Sequence, residues 1–113
     1  MSEDCLFCRI IRGEIPANLV AQTPECVAFR DIDPQAPTHV VIVPRAHIPT
    51  LADAKDSLIV GQMTRLATDV AEGEGIGETG YRVVINTKAD GGQTVHHLHM
   101  HLLGGRRMTW PPG

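Results

Sequence analysis

The sequence predicts a small mixed fold in which several short strands are served by one long helix. Three observations predict it. Short apolar runs bounded by Gly, Pro and Asp recur along the chain, as β-strands require. One stretch alone, from about 53 to 72, carries apolar residues at three- and four-residue spacing. Near the end, His96-His97-Leu98-His99-Met100-His101-Leu102-Leu103 alternates polar and apolar side chains, the period of a strand with two unlike faces. At 113 residues and 42% hydrophobic, the chain suits one compact domain spanning 1–113 and can build a core.

Cys5-Leu6-Phe7-Cys8 is a CxxC, and Arg9-Ile10-Ile11-Arg12 continues it as a short helical turn stopped by Gly13 and Pro16. Alone, the CxxC is a half zinc site or a redox pair. A redox motif calls for a preceding strand in a thioredoxin-like setting, which is missing, so zinc is favoured if partners lie elsewhere. Leu19–Gln22 and 25–31 read as two strands about a turn at Thr23-Pro24, with Cys26 and Phe29 inward. Asp31 to Pro37 is a turn-rich connection. Thr38–Pro44 is the strongest strand, opened by His39 and filled by Val40-Val41-Ile42-Val43. Pro44 and Pro49 bracket a loop in which His47 faces solvent on ordinary expectation.

The long helix presents Leu58, Ile59, Met63, Leu66, Ala67 and Val70 as a core stripe. Asp53 is placed to accept bonds from its first free amides, and Asp56 favours its positive end. Gly73, Gly75 and Gly77 end it. A strand follows over 81–86, then a glycine loop, Ala89-Asp90-Gly91-Gly92-Gln93-Thr94, running into the histidine strand. Gly104-Gly105 closes that strand, and the tail from Arg106 to Gly113 is neither helical nor strand-paired.

The formal net charge is -3 and there is no basic tail, which argues against a general nucleic-acid binder. No apolar run approaches the ~18 residues that span a membrane. The opening residues do not form a secretory signal, so the expected compartment is the reducing cytoplasm, with cysteines as thiols or metal ligands.

Four of the six histidines lie between positions 96 and 101. In a strand, His97, His99 and His101 share one face at ~6.6–6.8 Å steps, while Leu98, Met100 and Leu102 share the other. Each buried imidazole needs partners for its nitrogens, so three in a row point to metal ligation or to nucleophilic and acid–base work. The Gly91-Gly92 loop leading into them lets backbone amides approach an anion. Phosphate is therefore the leading ligand, with histidine able to attack phosphorus and its neighbours able to share charge and handle protons.

His97-Leu98-His99-Met100-His101-Leu102-Leu103 resembles the His-φ-His-φ-His-φ-φ signature of the histidine triad (HIT) nucleotide-binding family. Gly91-Gly92-Gln93-Thr94-Val95, Asp31 to His39 and Gly104 to Gly113 resemble the family's other motifs, and the likeness is greatest to the purine nucleoside phosphoramidase branch. The resemblance implies an α+β fold with a five-stranded antiparallel sheet, one long helix and a short N-terminal helix, with two chains forming a ten-stranded sheet in a homodimer. It implies hydrolysis of nucleoside 5′-phosphoramidates and related nucleotidyl conjugates through a nucleotidyl-histidine intermediate, releasing AMP or GMP. His99 would be the nucleophile, supported by His39 and His101. Asn86, Gly92, Gln93 and Thr94 would contact the phosphate region, with Thr94 near the leaving group where the branch commonly has serine. Asp31 would bind the ribose diol, and Phe7, Ile10, Phe29 and Ile32 would line the purine pocket. Cys5, Cys8, His47 and His97 match the structural zinc set of similar bacterial members, which makes His97 a ligand rather than a catalyst; no organic cofactor is implied. His96 stands where an aromatic residue is common and takes no catalytic role. Two other readings compete: a dinucleoside polyphosphate hydrolase, which the Trp-Pro-Pro-Gly ending disfavours, and a nucleotide-binding adaptor with vestigial catalysis, which the intact His39, His99 and His101 disfavour. A metal-storage or redox protein would leave Asp31 and the glycine loop unexplained.

Overall fold

The computed structural model describes residues 4–113. The elements are α1 (Leu6–Ile11), β1 (Leu19–Gln22), β2 (Cys26–Arg30), β3 (Thr38–Pro44), α2 (Ser57–Gly73), β4 (Tyr81–Val84) and β5 (Met100–Gly104). The strands form one antiparallel sheet in the order β1-β2-β3-β5-β4. This is the predicted α+β arrangement. Among the described residues, no helix is long and apolar enough to cross a membrane.

The sheet separates two apolar layers by strand alternation. Cys26 and Ala28 of β2, Val40 and Ile42 of β3, and Leu102 of β5 pack with Met63, Leu66, Ala67 and Val70 of α2. The intervening residues Val27, Phe29, Val41 and Val43 face the other way and pack with Phe7 and Cys8 of α1. β3 is buried along its whole length because it is central and covered on both faces. That second face carries the site, since His39 and His101 alternate onto it with Val41.

Three boundaries differ from the sequence reading. The helix does not start at 53. Asp53 instead closes a 3-10 turn at Leu51–Asp53, where its carboxylate accepts from the Thr50 amide (3.1 Å) and hydroxyl (2.8 Å). Asp56 is the N-cap of α2, and its side chain accepts from the Leu58 amide at 3.0 Å, satisfying one of the free first-turn donors. β4 ends at Val84, so Asn86 lies beyond it. Ladder pairing in β5 begins only at Met100, although side chains already alternate before it, with Leu98 in the helix-side core and His97 against Phe7. The backbone before Met100 is engaged elsewhere: the Leu98 amide donates to the Ile48 carbonyl, and the His97 carbonyl accepts from the His99 ring.

Candidate active site and metal centre

A cavity of about 270 Å³ opens on the α1 side of the sheet. Phe7 and Ile10 come from α1, Phe29 from the end of β2, and Asp31 and Ile32 from the connection that follows. Asn86, Gly92 and Thr94 come from the far side, and His99 and His101 form the inner end. The apolar half is held by an edge-to-face contact of Phe7 and Phe29, with ring centroids 5.5 Å apart, and Phe7 also meets His99 edge-on at 5.0 Å. Ile32 is wholly exposed and belongs to the rim. Leu6, Pro16, Val41 and Val95 line the cavity as well; in the sequence they are ordinary apolar residues, with no signal to distinguish them.

The histidine protons can be assigned from their partners. His99 Nδ1 lies 2.7 Å from the His97 carbonyl, which can only accept. The proton is therefore on Nδ1, and Nε2 keeps its lone pair. The Gln35 amide donates to His39 Nδ1 at 3.0 Å, so the His39 proton is on Nε2. That nitrogen is 2.9 Å from His101 Nδ1 and donates to it, which leaves the His101 proton on its own Nε2. In sequence register His39 pairs with Leu103 and His101 with Val41, so the two rings are diagonal neighbours on one face, close enough for side chains to meet.

Burial holds these rings in their neutral forms. Desolvation lowers the pKa of His39, against opposing pulls from Asp31 and Asp33. It lowers that of His99 as well. His101 is pushed down to about 4, first by desolvation and then by the charges that His99 and His39 would carry. Asp31 Oδ2 sits 3.4 Å from His39 Nε2 and 3.9 Å from His101 Nδ1, and Asp31 Oδ1 accepts from the Asp33 amide at 2.9 Å.

The glycine loop is built by close approach. A Cβ on Gly91 would lie 2.4 Å from the Thr87 carbonyl oxygen, and Gly92 has φ +80°. Gln93 is buried and braces this loop. Its Oε1 accepts from the Lys88 amide at 3.0 Å, and its Nε2 donates to the Pro49 and Val95 carbonyls at 2.8 and 3.0 Å. The expected contact of the Gln93 side chain with phosphate does not fit this placement: its polar atoms are engaged within the protein, and the cavity wall passes from Gly92 to Thr94.

Cys5, Cys8, His47 and His97 come together, and their ligand atoms all lie within 4.8 Å of one another. His97 Nδ1 is 3.4 Å from Cys5 Sγ, 3.6 Å from Cys8 Sγ and 3.2 Å from His47 Nδ1, while Cys8 Sγ is 3.3 Å from His47 Nδ1. A tetrahedron about zinc with usual Zn–N and Zn–S bonds has edges of ~3.3–3.8 Å, so the donor set fits that ion. Protonation agrees: His97 Nε2 donates to the Pro44 carbonyl at 2.9 Å, leaving Nδ1 as a lone pair aimed at the cluster. His47 is thus a half-buried member of this cluster and not the solvent-facing loop residue expected from its position. Asp31, His39 and His101 are also close enough to hold a metal by distance alone. Their hydrogen bonding opposes it, because the Gln35 amide occupies His39 Nδ1 and keeps a proton on the nitrogen that would have to ligate.

Residues 12–108 match the model of the HIT domain. The chain is 52% identical over 108 residues to the purine nucleoside phosphoramidase of Escherichia coli K12, covering 94% of this chain and 91% of that protein. It is 50% identical to an uncharacterized HIT-like protein of Synechococcus elongatus, over the full length of both. Among solved structures, a HIT family hydrolase from Legionella pneumophila superposes with a TM-score of 0.95 at 52% identity, covering 97% of this chain and 100% of that one. A histidine triad protein from Clostridium difficile gives 0.93 at 39% identity, covering 96% of each.

Proposed function

This chain belongs to the HIT domain family, and from that premise we propose that it hydrolyses purine nucleoside 5′-phosphoramidates and related nucleotidyl conjugates. The observation that carries the reading is His99. Its Nδ1–H is committed to a backbone carbonyl, so an unprotonated Nε2 is available on a ring that lines the cavity. In the first half-reaction His99 Nε2 attacks the α-phosphorus, a P–Nε2 bond forms, and the bond to the amine breaks. The amine nitrogen is protonated from water as the bond breaks, while the neutral His101 ring offers its Nε2–H to the phosphate as a hydrogen bond and not as an acid. Water then attacks phosphorus, the P–Nε2 bond breaks, and AMP or GMP leaves. His39 supports this by keeping His101 in the tautomer that presents its proton to the cavity.

Phe7, Ile10, Phe29 and Ile32 offer apolar surface to the base. Asp31, with one oxygen already anchored, offers the other to the ribose diol. Asn86, Gly92 and Thr94 border the phosphate, with Thr94 towards the leaving group, and Gln93 contributes by shaping the loop. The whole of 1–113 acts as one HIT domain. Zinc at Cys5, Cys8, His47 and His97 would serve as a structural clamp, fixing α1 and hence the Phe7 wall. β4 is a free sheet edge with Tyr81 and Val83 exposed, which supports pairing of two chains into a ten-stranded sheet.

The test is incubation with adenosine 5′-phosphoramidate, with AMP release followed for the parent protein and for His99→Ala. The variant should lose turnover while keeping its fold, because the core face of the segment is untouched. Parent protein denatured at alkaline pH during turnover should also carry a nucleotidyl mass that the variant lacks. Near-normal AMP release by His99→Ala would overturn the assignment.

A further inference from the structure

The geometry points to Arg106 as a positioning residue that helps set the protons of His39 and His101 through the backbone of Gln35. The inference rests on the reading in which His101 presents Nε2–H to the cavity. That proton location is inherited: His101 Nδ1 accepts because His39 Nε2 donates, and His39 Nε2 donates because the Gln35 amide occupies Nδ1. The chain of constraints therefore begins at one backbone N–H in an exposed connection.

Within the connection Gln35 is held by one bond, from its Nε2 to the Asp33 carbonyl at 3.0 Å. It lies outside any strand, is exposed, and sits between Pro34 and Pro37, neither of which has an amide to donate. Arg106 adds a hold on the backbone from outside the connection. Its Nε and Nη2 both donate to the Gln35 carbonyl, at 3.1 and 3.0 Å, and its Nη1 donates to the Arg107 carbonyl at 3.3 Å. A guanidinium bonded through two nitrogens fixes direction as well as distance. The approach is possible because Gly105, at φ +88°, presses on Pro37: a Cβ there would lie 2.9 Å from the Pro37 ring. The end of β5 thus clamps the connection from outside, while the same strand receives the resulting tautomer at His101 inside. Asp31 and Asp33 from the connection and His101 from β5 also face His39, but none of them bonds Nδ1. Among the described residues the Gln35 amide is the donor that occupies Nδ1, and Asp31 Oδ2, 3.4 Å from Nε2, favours the same tautomer.

The test uses the zinc-loaded full chain and Arg106→Ala, Arg106→Lys and parent proteins. Imidazole nitrogen NMR near neutral pH should show the parent His39 as a single tautomer with its proton on Nε2. Arg106→Ala should show a mixture and a kcat on adenosine 5′-phosphoramidate lower by about three- to tenfold, the worth of one hydrogen bond, with KM little changed. Arg106→Lys should recover part of kcat, and added guanidinium should recover part of it in Arg106→Ala but not change the parent. A parent-like His39 spectrum in Arg106→Ala overturns the inference, whatever happens to stability or KM. A parent that shows the expected tautomer and its loss in Arg106→Ala, yet never releases AMP, supports the Arg106 link and overturns the proposed function instead.

Discussion

Lowering the pH should destabilise the fold through His101, by an amount that a single substitution can isolate. The ring is wedged between His39 and His99, with centroids 5.1 Å from each, and Asp31 at 3.9 Å only partly compensates. Burial and these neighbours push its pKa from 6.5 to about 4. Because the folded value is the lower one, the unfolded chain binds more protons between those limits. Stability is therefore intact above about pH 6.5 and falls as the pH drops towards 4. The full gap is worth about 3 kcal/mol. The side chain keeps 19% of its surface in water, which screens part of that, so about 1–2 kcal/mol should be lost by about pH 4.5. The assay is urea denaturation at about pH 7.5 and about pH 4.5 for the parent and for His101→Gln. Metal release acts on both proteins alike, and His39 and His99 lose a charged neighbour in the variant, which works in the same direction, so the parent should lose at least about 1–2 kcal/mol more than the variant. Equal losses, or an NMR titration of His101 centred near its ordinary value, would refute the reasoning.

Two further outcomes are expected. Protein purified without chelator should hold about one zinc per chain, and chelation or the double change Cys5→Ser, Cys8→Ser should lower the unfolding midpoint by at least about 4 °C and weaken nucleotide binding, as metal analysis, calorimetry and titration would show; a metal-free native protein with reactive Cys5 and Cys8 counts against the clamp. Removing Trp110 to Gly113 should shift relative rates across substrates with different leaving groups more than it shifts stability, since Trp110 is 82% exposed and the tail's bond from Arg82 to the Thr109 carbonyl lies before the cut; unchanged relative rates would oppose a role for the tail at a site.

Much of the fold was legible because two periods dominate it. The valine run of β3 and the stripe on α2 bury the residues that pattern alone selects. The alternation from His97 to Leu102 likewise separated the imidazoles from the core residues, even though the ladder forms over only part of it. What was not legible depends on pairs distant in sequence. Asp53 and Asp56 are equally good caps locally, and only the Thr50 contacts show which one opens the helix. His47 reads as a loop residue until Cys8 and His97, 39 and 50 positions away, are brought beside it. Gln93 looks like a ligand-facing amide, but its neighbours consume it. Arg106 gave no signal at all, since a basic residue after a strand is normally solvated surface.

The segment from His97 to Leu102 supplies three systems in turn: a member of the Cys/His cluster at His97, cavity residues at His99 and His101, and core residues at Leu98, Met100 and Leu102. Its tolerance to mutation is accordingly lopsided. An exchange of one side chain disturbs one system, and Leu98 or Met100 can trade for other apolar residues of similar volume without consequence for the rest. A gain or loss of one residue is different in kind, because it turns every later side chain to the opposite face. Deleting Leu98 would bring imidazoles into the helix-side core and send Met100 towards the cavity in a single step. Along this stretch, evolution can rewrite letters, but it has almost no freedom to change spacing.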